Sequence, residues 1–237
     1  MLNTLFSMTG KVCVITGGSR GLGYYMAQGF LEAGADQVYI TARKAEACME
    51  AARELSQYGQ CIALPGDVSS LEGIQQLAAT LNEKEKSIDV LINNAGSGWG
   101  APLETFPEKG WDKVMDLNVK TPFFLTQALL PNLTHGKSPD HTACVINIGS
   151  IAGIVGNSIS NYSYGPSKAA VHQLTRNLAR DLADRHIRVN AIAPGRFFSK
   201  MTEYVSSDKE AYEAECAVIP LHRWGKAEDI AGVAIML

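Results

Sequence analysis

Short apolar runs rich in β-branched residues alternate along the chain with longer stretches whose apolar positions repeat at helical spacing. Strands are predicted over residues 11–16, 37–41, 61–65, 89–93, 143–148 and 188–193. Helices are predicted over 21–33, 44–58, 70–82, 110–133 and 164–183, followed by a mostly helical tail. Gly34, the Gly66-Asp67-Val68 turn and Pro194-Gly195 punctuate the junctions. Strands that alternate with helices imply right-handed βαβ crossovers and a parallel sheet covered on both faces. No internal repeat, low-complexity tract or Pro/Gly-rich linker divides the chain. The expected fold is therefore α/β, doubly wound, one domain over residues 1–237.

Composition narrows the function classes. A length of 237 residues suffices for one large core. A net charge of −3 and a pI near 6.0 argue against a nucleic-acid partner. The five histidines are scattered and show no metal-ligand spacing, so no metal is expected. Cys13, Cys48, Cys61, Cys144 and Cys216 form no Cys-x-x-Cys, and Cys13 and Cys144 fall in strand-like runs. Buried free thiols in a reducing cytoplasm are the expectation. No basic-then-apolar leader and no run of membrane-spanning length is seen, so neither secretion nor a membrane partner is expected. Asn132-Leu-Thr and Asn161-Tyr-Ser match the glycosylation pattern but count as chance matches in a cytoplasmic protein.

Thr16-Gly-Gly-Ser-Arg-Gly-Leu-Gly23 joins the first strand to the first helix. Gly17, Gly21 and Gly23 would let the backbone turn sharply and approach a pyrophosphate, which the helix N-terminus would face with free N–H groups. The spacing is Gly-x-x-x-Gly-x-Gly, and its place between a strand and a helix is what makes a dinucleotide site the better reading. An NAD-selective site usually carries an acid at the end of strand two. Thr41-Ala42-Arg43 stands there instead, so Arg43 with Arg20 is read as a clamp for a 2′-phosphate, and the cofactor as NADP(H).

Tyr164 and Lys168 lie four apart, on one face of a helix turn. An ammonium there would favour the phenolate. Bringing a tyrosine from about 10 to near 7 takes roughly 4 kcal/mol, and a phenol so tuned can pass a proton at neutral pH. Taken alone, such a pair is more often a packed ring and a solvated charge. Tyr162 has Pro166, not lysine, four residues on, and Pro166 suits a first helical turn.

Together the segments TGGSRGLG (Thr16–Gly23), Asp67-Val68, NNAG (Asn93–Gly96), Asn118, Ser150, Tyr164/Lys168 and Pro194-Gly195 resemble the short-chain dehydrogenases/reductases across nearly the whole chain. Within that family the chain is most similar to 3-oxoacyl reductases of the rhamnolipid-biosynthesis type and to gluconate 5-dehydrogenase-like reductases. The resemblance implies a Rossmann sheet of order 3-2-1-4-5-6-7 with one active site at the strand C-termini. It implies catalytic roles for Asn118, Ser150, Tyr164 and Lys168. It implies cofactor contacts from Gly17, Ser19, Arg20, Gly21, Leu22, Gly23, Arg43, Asp67, Val68, Asn94, Ala95, Gly96, Tyr164, Lys168, Pro194, Gly195 and Ser199. Ser199 falls where many members carry threonine.

On this reading a hydride passes from NADPH to a ketone carbon, and Tyr164 protonates the developing alkoxide. Ser150, just past strand five, donates to the carbonyl oxygen. Ser158, Ser160 and Ser163 compete for that role, but none closes a strand. The family uses the Asn118 position to hold a water linking Lys168 to solvent. Pro122 lacks the N–H that would pair the Asn118 carbonyl, so a kink and a free carbonyl are expected.

Trp99, Ile154, Val155, Phe197, Phe198, Met201 and Tyr204 would give the site an apolar mouth, although each could equally be core or subunit contact. Arg176, Arg180 and Arg185 could meet an acidic carrier protein, with a solvated helix face as the default. A 3-oxoacyl thioester is the favoured substrate. A polyol or sugar-acid dehydrogenase and a nucleotide-binding subunit without turnover remain as alternatives. The sequence ends at Leu237 in a helical pattern, where family members continue into a seventh strand. A six-stranded sheet with strand six as its edge is expected, in a homodimer through the long helices.

Overall fold

The computed structural model describes residues 5–156, 160–199, 202, 205 and 207–237. The expected Ser158, Met201 and Tyr204 lie outside the described residues. Six strands, β1 (Val12–Thr16), β2 (Gln37–Thr41), β3 (Cys61–Ala63), β4 (Val90–Asn93), β5 (Ala143–Ile148) and β6 (Ile187–Ile192), form one sheet. Their order is β3-β2-β1-β4-β5-β6 and every pairing is parallel. Among the described residues no seventh strand is present, and β6 is an edge, as expected.

Successive side chains of a strand point to opposite faces, and the core divides accordingly. Cys13, Ile15, Ile40, Ile92 and Ile146 face one side, where α1 (Gly21–Glu32), α2 (Ala45–Leu55) and a last helix, Ala227–Met236, bring Phe30, Leu55 and Ile230. Val14, Tyr39, Leu91, Val145 and Val189 face the other, against Leu81 of α3 (Leu71–Lys84), Leu125 and Leu178. Gly29 of α1 allows the last helix to lie close, since a Cβ there would stand 2.6 Å from the Ala231 Cβ.

The helix expected over 110–133 is in fact several pieces. α4 (Glu108–Met115) runs into a π-helical turn over Asp116–Lys120, then α5 (Thr121–Ala128), and α6 (Leu130–Thr134) follows a break at Leu129. Pro122 is the reason for the first change. Its ring would clash with the carbonyl four residues back, and the turn widens so that the Thr121 N–H reaches the Asp116 carbonyl, five residues back. The kink expected at Pro122 is thus a π-bulge. Pro131 similarly stands in the first turn of α6. Helix α7 (Tyr164–Asp181) then crosses to β6, and α8 (Lys209–Ala217) and α9 (Ala227–Met236) complete the chain.

At the N-terminal ends of the strands, buried Asp89 gathers the chain. Its carboxylate takes the Val12 N–H at 2.9 Å, Lys137 Nζ at 2.6 Å and Lys11 Nζ at 3.6 Å. Burial works against its charge, but the Lys137 ammonium and the Val12 N–H prevail and hold the carboxyl below its ordinary range. This clamp lies at the end of the sheet opposite the candidate site.

Candidate active site

The C-terminal ends of β1, β2, β4, β5 and β6 converge on one mouth, where the order of strands reverses on either side of β1 and ligands of open α/β sheets bind. Gly17 and Gly21 take φ of +67° and +56°, which side-chain-bearing residues rarely adopt. A Cβ on Gly23 would stand 2.4 Å from the Gly17 carbonyl oxygen, so the loop closes only without one. Gly18 is equally constrained, with Ile40 2.6 Å from where its Cβ would be, and sequence reasoning had not singled it out.

Arg20 is the N-cap of α1 and its side chain makes no cap hydrogen bond, leaving the helix N–H groups to an incoming acceptor. The Gly18 N–H donates to the Thr41 carbonyl at 3.1 Å and the Gly66 N–H to that of Ala42 at 3.1 Å. The loop, the end of β2 and the Asp67 turn are thereby stitched side by side. Arg20 and Arg43 are exposed there, and neither has an ion-pair partner among the described residues.

Val68 follows the Gly66-Asp67 turn. Its side chain is buried in the core with Tyr39 and Leu117, and its carbonyl accepts from Thr121 Oγ1 at 2.5 Å. Asp67 is exposed, with Oδ1 accepting from the Ser69 N–H at 3.0 Å. Ser19 and Leu22 stay half-buried on the loop and at the start of α1.

Asn94 donates to the Thr16 and Gly17 carbonyls at 2.8 and 3.1 Å, while Thr16 Oγ1 accepts from the N–H groups of Asn94 and Ala95 at 3.0 and 2.9 Å. This fixes Asn94-Ala95-Gly96 against the phosphate loop. Asn93 turns inward and donates to Asn147 Oδ1 at 2.9 Å.

Lys168 is 5% exposed, and its Nζ donates to the Ile148 carbonyl at 2.7 Å. Burial lowers its pKa to about 8. Nζ lies 5.6 Å from the centre of the Tyr164 ring. A methyl on Gly96 would stand 3.6 Å from Nζ and 3.3 Å from Asn118 Oδ1, which places the three residues together. Asn118 acts here through its side chain. Oδ1 accepts from the Ser97 N–H at 2.9 Å, and Nδ2 donates to the Ser97 carbonyl at 3.0 Å and to Ser167 Oγ at 2.9 Å. The amide therefore staples the Gly96 loop to the turn that carries Lys168, a use of Ser97 and Ser167 that spacing did not reveal.

Ser150 caps a short 3-10 turn (Ile151–Gly153), its hydroxyl accepting from the Ala152 N–H at 3.1 Å. The Tyr164 phenol is raised by burial and pulled partly back by the nearby Ser150 hydroxyl and the Arg196 guanidinium. Lys168, expected to draw the phenol down, is not among the groups that shift it here. Desolvation of the pocket outweighs the polar and charged groups around the phenol, so Tyr164 keeps its proton at neutral pH. Tyr162 packs edge-on against Phe106. Ser163 is fully buried and precedes α7, whereas Ser160 lends its carbonyl to the Ala101 N–H at 3.0 Å.

The Pro194 carbonyl accepts from the Ile151 N–H at 3.1 Å, so Gly195 is held beside the Ser150 turn. Ser199 comes over the phosphate loop, its Cβ 3.8 Å from where a Gly21 Cβ would be. Its hydroxyl is 3.2 Å from Thr202 Oγ1. Of the expected apolar mouth, Ile154, Val155 and Phe198 are exposed. Trp99 lies over Gly110, with Lys113 Nζ 5.2 Å from its ring centre. Phe198 stacks with Tyr212 and tilts against buried Trp224, neither of which the sequence marked as lining. Arg176, Arg180 and Arg185 are all exposed.

A glycine loop opening a helix at the centre of a parallel sheet, with a buried lysine, a tyrosine and a strand-end serine at the same mouth, defines a dinucleotide-dependent oxidoreductase. A family model described as short chain dehydrogenase matches residues 11–210, and the chain belongs to that family, whose chemistry is exchange between CH–OH and C=O groups. The Pseudomonas aeruginosa rhamnolipids biosynthesis 3-oxoacyl-[acyl-carrier-protein] reductase is 52% identical over 236 residues, covering 100% of this chain and 92% of that protein. The 5-keto-D-gluconate 5-reductase of Escherichia coli is 35% identical over 239 residues, covering 100% and 91%. Among solved structures, the RhlG/NADP active-site complex of Pseudomonas aeruginosa superimposes with a TM-score of 0.95 at 52% identity, over 98% of this chain and 91% of that one. A Burkholderia cenocepacia gluconate 5-dehydrogenase in complex with NADP and tartrate gives 0.90 at 28% identity, over 100% and 91%.

Proposed function

We propose that the protein is an NADPH-dependent ketoreductase acting on a 3-oxoacyl thioester, linked to a carrier protein or coenzyme A, with Tyr164 as the proton donor. The observation that carries the reading is the meeting of Tyr164, the Ser150-capped turn and buried Lys168 at the mouth of the sheet that also holds a glycine loop with an open helix N-terminus. The loop fits a dinucleotide because Cβ atoms at Gly17, Gly18 and Gly23 would fill or block it. Arg20 and Arg43 are placed to take a 2′-phosphate. Two similar structures are NADP complexes, which supports the same cofactor here.

The nicotinamide supplies the hydride. Everything else falls to the chain's own residues. Ser150 donates a hydrogen bond to the ketone oxygen, where negative charge develops in the transition state. Tyr164 gives its proton to that oxygen. Lys168, anchored on the Ile148 carbonyl, presents its remaining N–H groups to the cofactor's ribose and keeps a positive charge next to the phenol while its proton leaves. Asn118 holds the Gly96 loop and the Lys168 turn in register, and its backbone carbonyl is proposed to carry a water that returns the proton to Lys168. The 52% relative and the exposed Ile154, Val155 and Phe198 at the mouth favour an acyl chain. The 35% relative keeps a sugar-acid substrate as the second reading.

A cytoplasmic location is part of the same proposal, and the five free, buried cysteines support it, since such thiols suit a reducing compartment. The proposed homodimer would form through the long helices, and an apolar hollow of about 90 Å³ between α5 and α7, lined by Phe123, Leu130, Leu178 and Leu182, supports that face. The deciding experiment follows NADPH oxidation with an acetoacetyl thioester and with 5-ketogluconate, in the wild type and in Tyr164→Phe. Faster turnover of the thioester, lost about a hundredfold or more in the variant, is expected. Preference for the ketogluconate would move the assignment to the second reading. Turnover of neither would leave a nucleotide-binding subunit, and turnover unaffected in the variant would remove Tyr164 as donor.

A further inference from the structure

Helix α7 lies on the Ser150 turn with almost no side chain between them. A Cβ on Gly165 would stand 3.1 Å from the Ala152 carbonyl oxygen. One on Gly153 would stand 2.6 Å from the Ala169 nitrogen and 3.0 Å from the Lys168 Cβ. One on Gly149 would stand 2.0 Å from His172 Nε2 and 2.6 Å from its Cδ2. Residues 165, 168 and 172 follow one another along one face of α7, at spacings of three and four. The turn that carries Ser150 is therefore docked on α7 at three successive points, the first next to Tyr164 in sequence and the second at Lys168.

The third point differs from the other two. At Gly165 and Gly153 backbone meets backbone, whereas at Gly149 an imidazole ring fills the space. Gly149 does not take a positive φ, so its backbone would accept a side chain, and the ring is what occupies the place. The Gly149 N–H donates to the Ile192 carbonyl at 2.7 Å, and the carbonyl of Ile148 before it holds Lys168 Nζ at 2.7 Å. His172 thus bears on the residue between the anchor of Lys168 and the Ser150 hydroxyl. Its Nε2 is buried and has no hydrogen-bond partner among the described residues. An N–H there would be left without an acceptor, so Nε2 carries a lone pair and the proton of the ring sits on Nδ1. Burial, the Arg176 guanidinium and the Lys168 ammonium all lower its pKa, which keeps the ring neutral at neutral pH. A neutral ring without a polar partner contributes shape rather than charge.

We propose that His172 is a positioning residue for the reduction: its ring, seated on Gly149, sets how far the Ser150 turn stands off α7, and hence where the Ser150 hydroxyl meets the ketone oxygen relative to Tyr164. The inference rests on the roles given above to Ser150 and Tyr164. The turn is also tied to β6 and the loop after it, through the Ile192 and Pro194 carbonyls, and these bonds fix it along the sheet. Its approach to α7 is left to the three close contacts. The contact with His172 is the one whose thickness depends on which residue type the helix carries.

Removing the ring leaves an opening at Gly149 into which the turn can settle. A displacement of about 1 Å at a reacting group costs up to about a hundredfold in rate. In His172→Ala, kcat is expected to fall about tenfold with KM for NADPH within about twofold, because the phosphate loop lies beyond these contacts. His172→Gln, whose amide reaches as far from the helix as Nε2, should keep kcat within about threefold of wild type. Gly149→Ala sets a methyl against the ring and should also lower kcat about tenfold. The double variant Gly149→Ala/His172→Ala is the sharper test. Its new methyl would lie 2.0 Å from where Nε2 now stands and 3.2 Å from the Ile192 carbonyl, a tight fit that refills the opening. There kcat should return to within about threefold of wild type, against the hundredfold loss that two independent effects of about tenfold would give.

Steady-state reduction is followed with whichever of an acetoacetyl thioester and 5-ketogluconate the wild type turns over faster, well below the lowest melting temperature of the set. An unchanged kcat in His172→Ala, a Gln variant as slow as the Ala variant, or a double variant no faster than His172→Ala overturns the proposal. So does a set whose melting temperatures follow the expected pattern while kcat does not, since the ring would then only pack. Should Gly149→Ala fail to fold, the other three variants decide the same question. Ser150→Ala run in parallel separates the two levels. If it keeps wild-type turnover, the role of Ser150 is wrong and this inference falls with it. A slow Ser150→Ala beside a His172→Ala of wild-type speed removes only the role of His172. A wild type that reduces neither ketone removes the proposed function and this inference together.

Discussion

Replacing Asn118 by alanine tests whether a side chain that touches no reacting atom still governs the site. The residue is 1% exposed and makes three side-chain hydrogen bonds, two with Ser97 backbone groups and one with Ser167 Oγ. A net contribution of about 1 kcal/mol per bond gives about 3 kcal/mol, and a buried, unpaired Ser97 N–H adds a penalty of about 1–3 kcal/mol unless water fills the space. Partial filling by water, which an asparagine-sized gap beside polar groups allows, brings the expected loss to about 2–4 kcal/mol. Urea denaturation measures it. The double variant with Ser167→Ala should show a coupling of about 0.5–1.5 kcal/mol, because that pair shares one bond. Turnover should fall by more than tenfold at substrate saturation, since Gly96 and Lys168 lose their common anchor. A stability loss below about 1 kcal/mol, or a folded variant with unchanged kcat, would refute the staple.

Arg43→Asp removes one phosphate partner and offers a carboxylate to a ribose hydroxyl, so the preference for NADPH over NADH should drop about 10- to 100-fold, from a charge-assisted bond worth about 1.5–3 kcal/mol; an unchanged ratio of kcat/KM values sinks the 2′-phosphate clamp. Lys137→Met leaves the buried Asp89 carboxylate short of its nearest cation and should cost about 3 kcal/mol at neutral pH. Asp89 is held below its unfolded pKa, so its contribution is full above about pH 5 and is lost as pH falls through the lowered value. The stability gap between wild type and Lys137→Met should therefore narrow on acidification, and a gap that stays constant would remove Asp89 as the cause.

Alternation of strand and helix was legible because most strands are short, apolar runs and each helix is apolar on one face. The limits of β2 and β5 could be read directly, since Gln37–Thr41 and Ala143–Ile148 are buried throughout. The long helix was misread because periodicity continues smoothly through Asp116–Lys120. A π-turn shifts the face by one residue, and although Pro122 marked a kink there, it did not show that the helix would divide. The glycine loop and the Tyr164–Lys168 pair were visible as motifs, since their function needs particular residues at fixed spacing. Gly149 and His172 were not, because their contact joins segments brought together only by the fold. The sign of the Tyr164 shift was hidden for a related reason. Spacing shows which charge is near a phenol, but burial is a property of the whole wall around it.

The near-contact of Gly29 with Ala231 bears on how the molecule is made. The helix that follows the glycine loop is synthesised first among the helices described, and its close partner α9 is the last of them. Loop closure over so much intervening chain comes late and slowly. While the ribosome is still at work, α1 can rest on β1 and β2, yet the face that receives Ile230 and Ala234 stays uncovered until the final turns emerge. The outer face of α1, the helix that opens from the glycine loop, therefore reaches its finished form only once α9 has emerged and packed, and until then that helix is held from the sheet side alone.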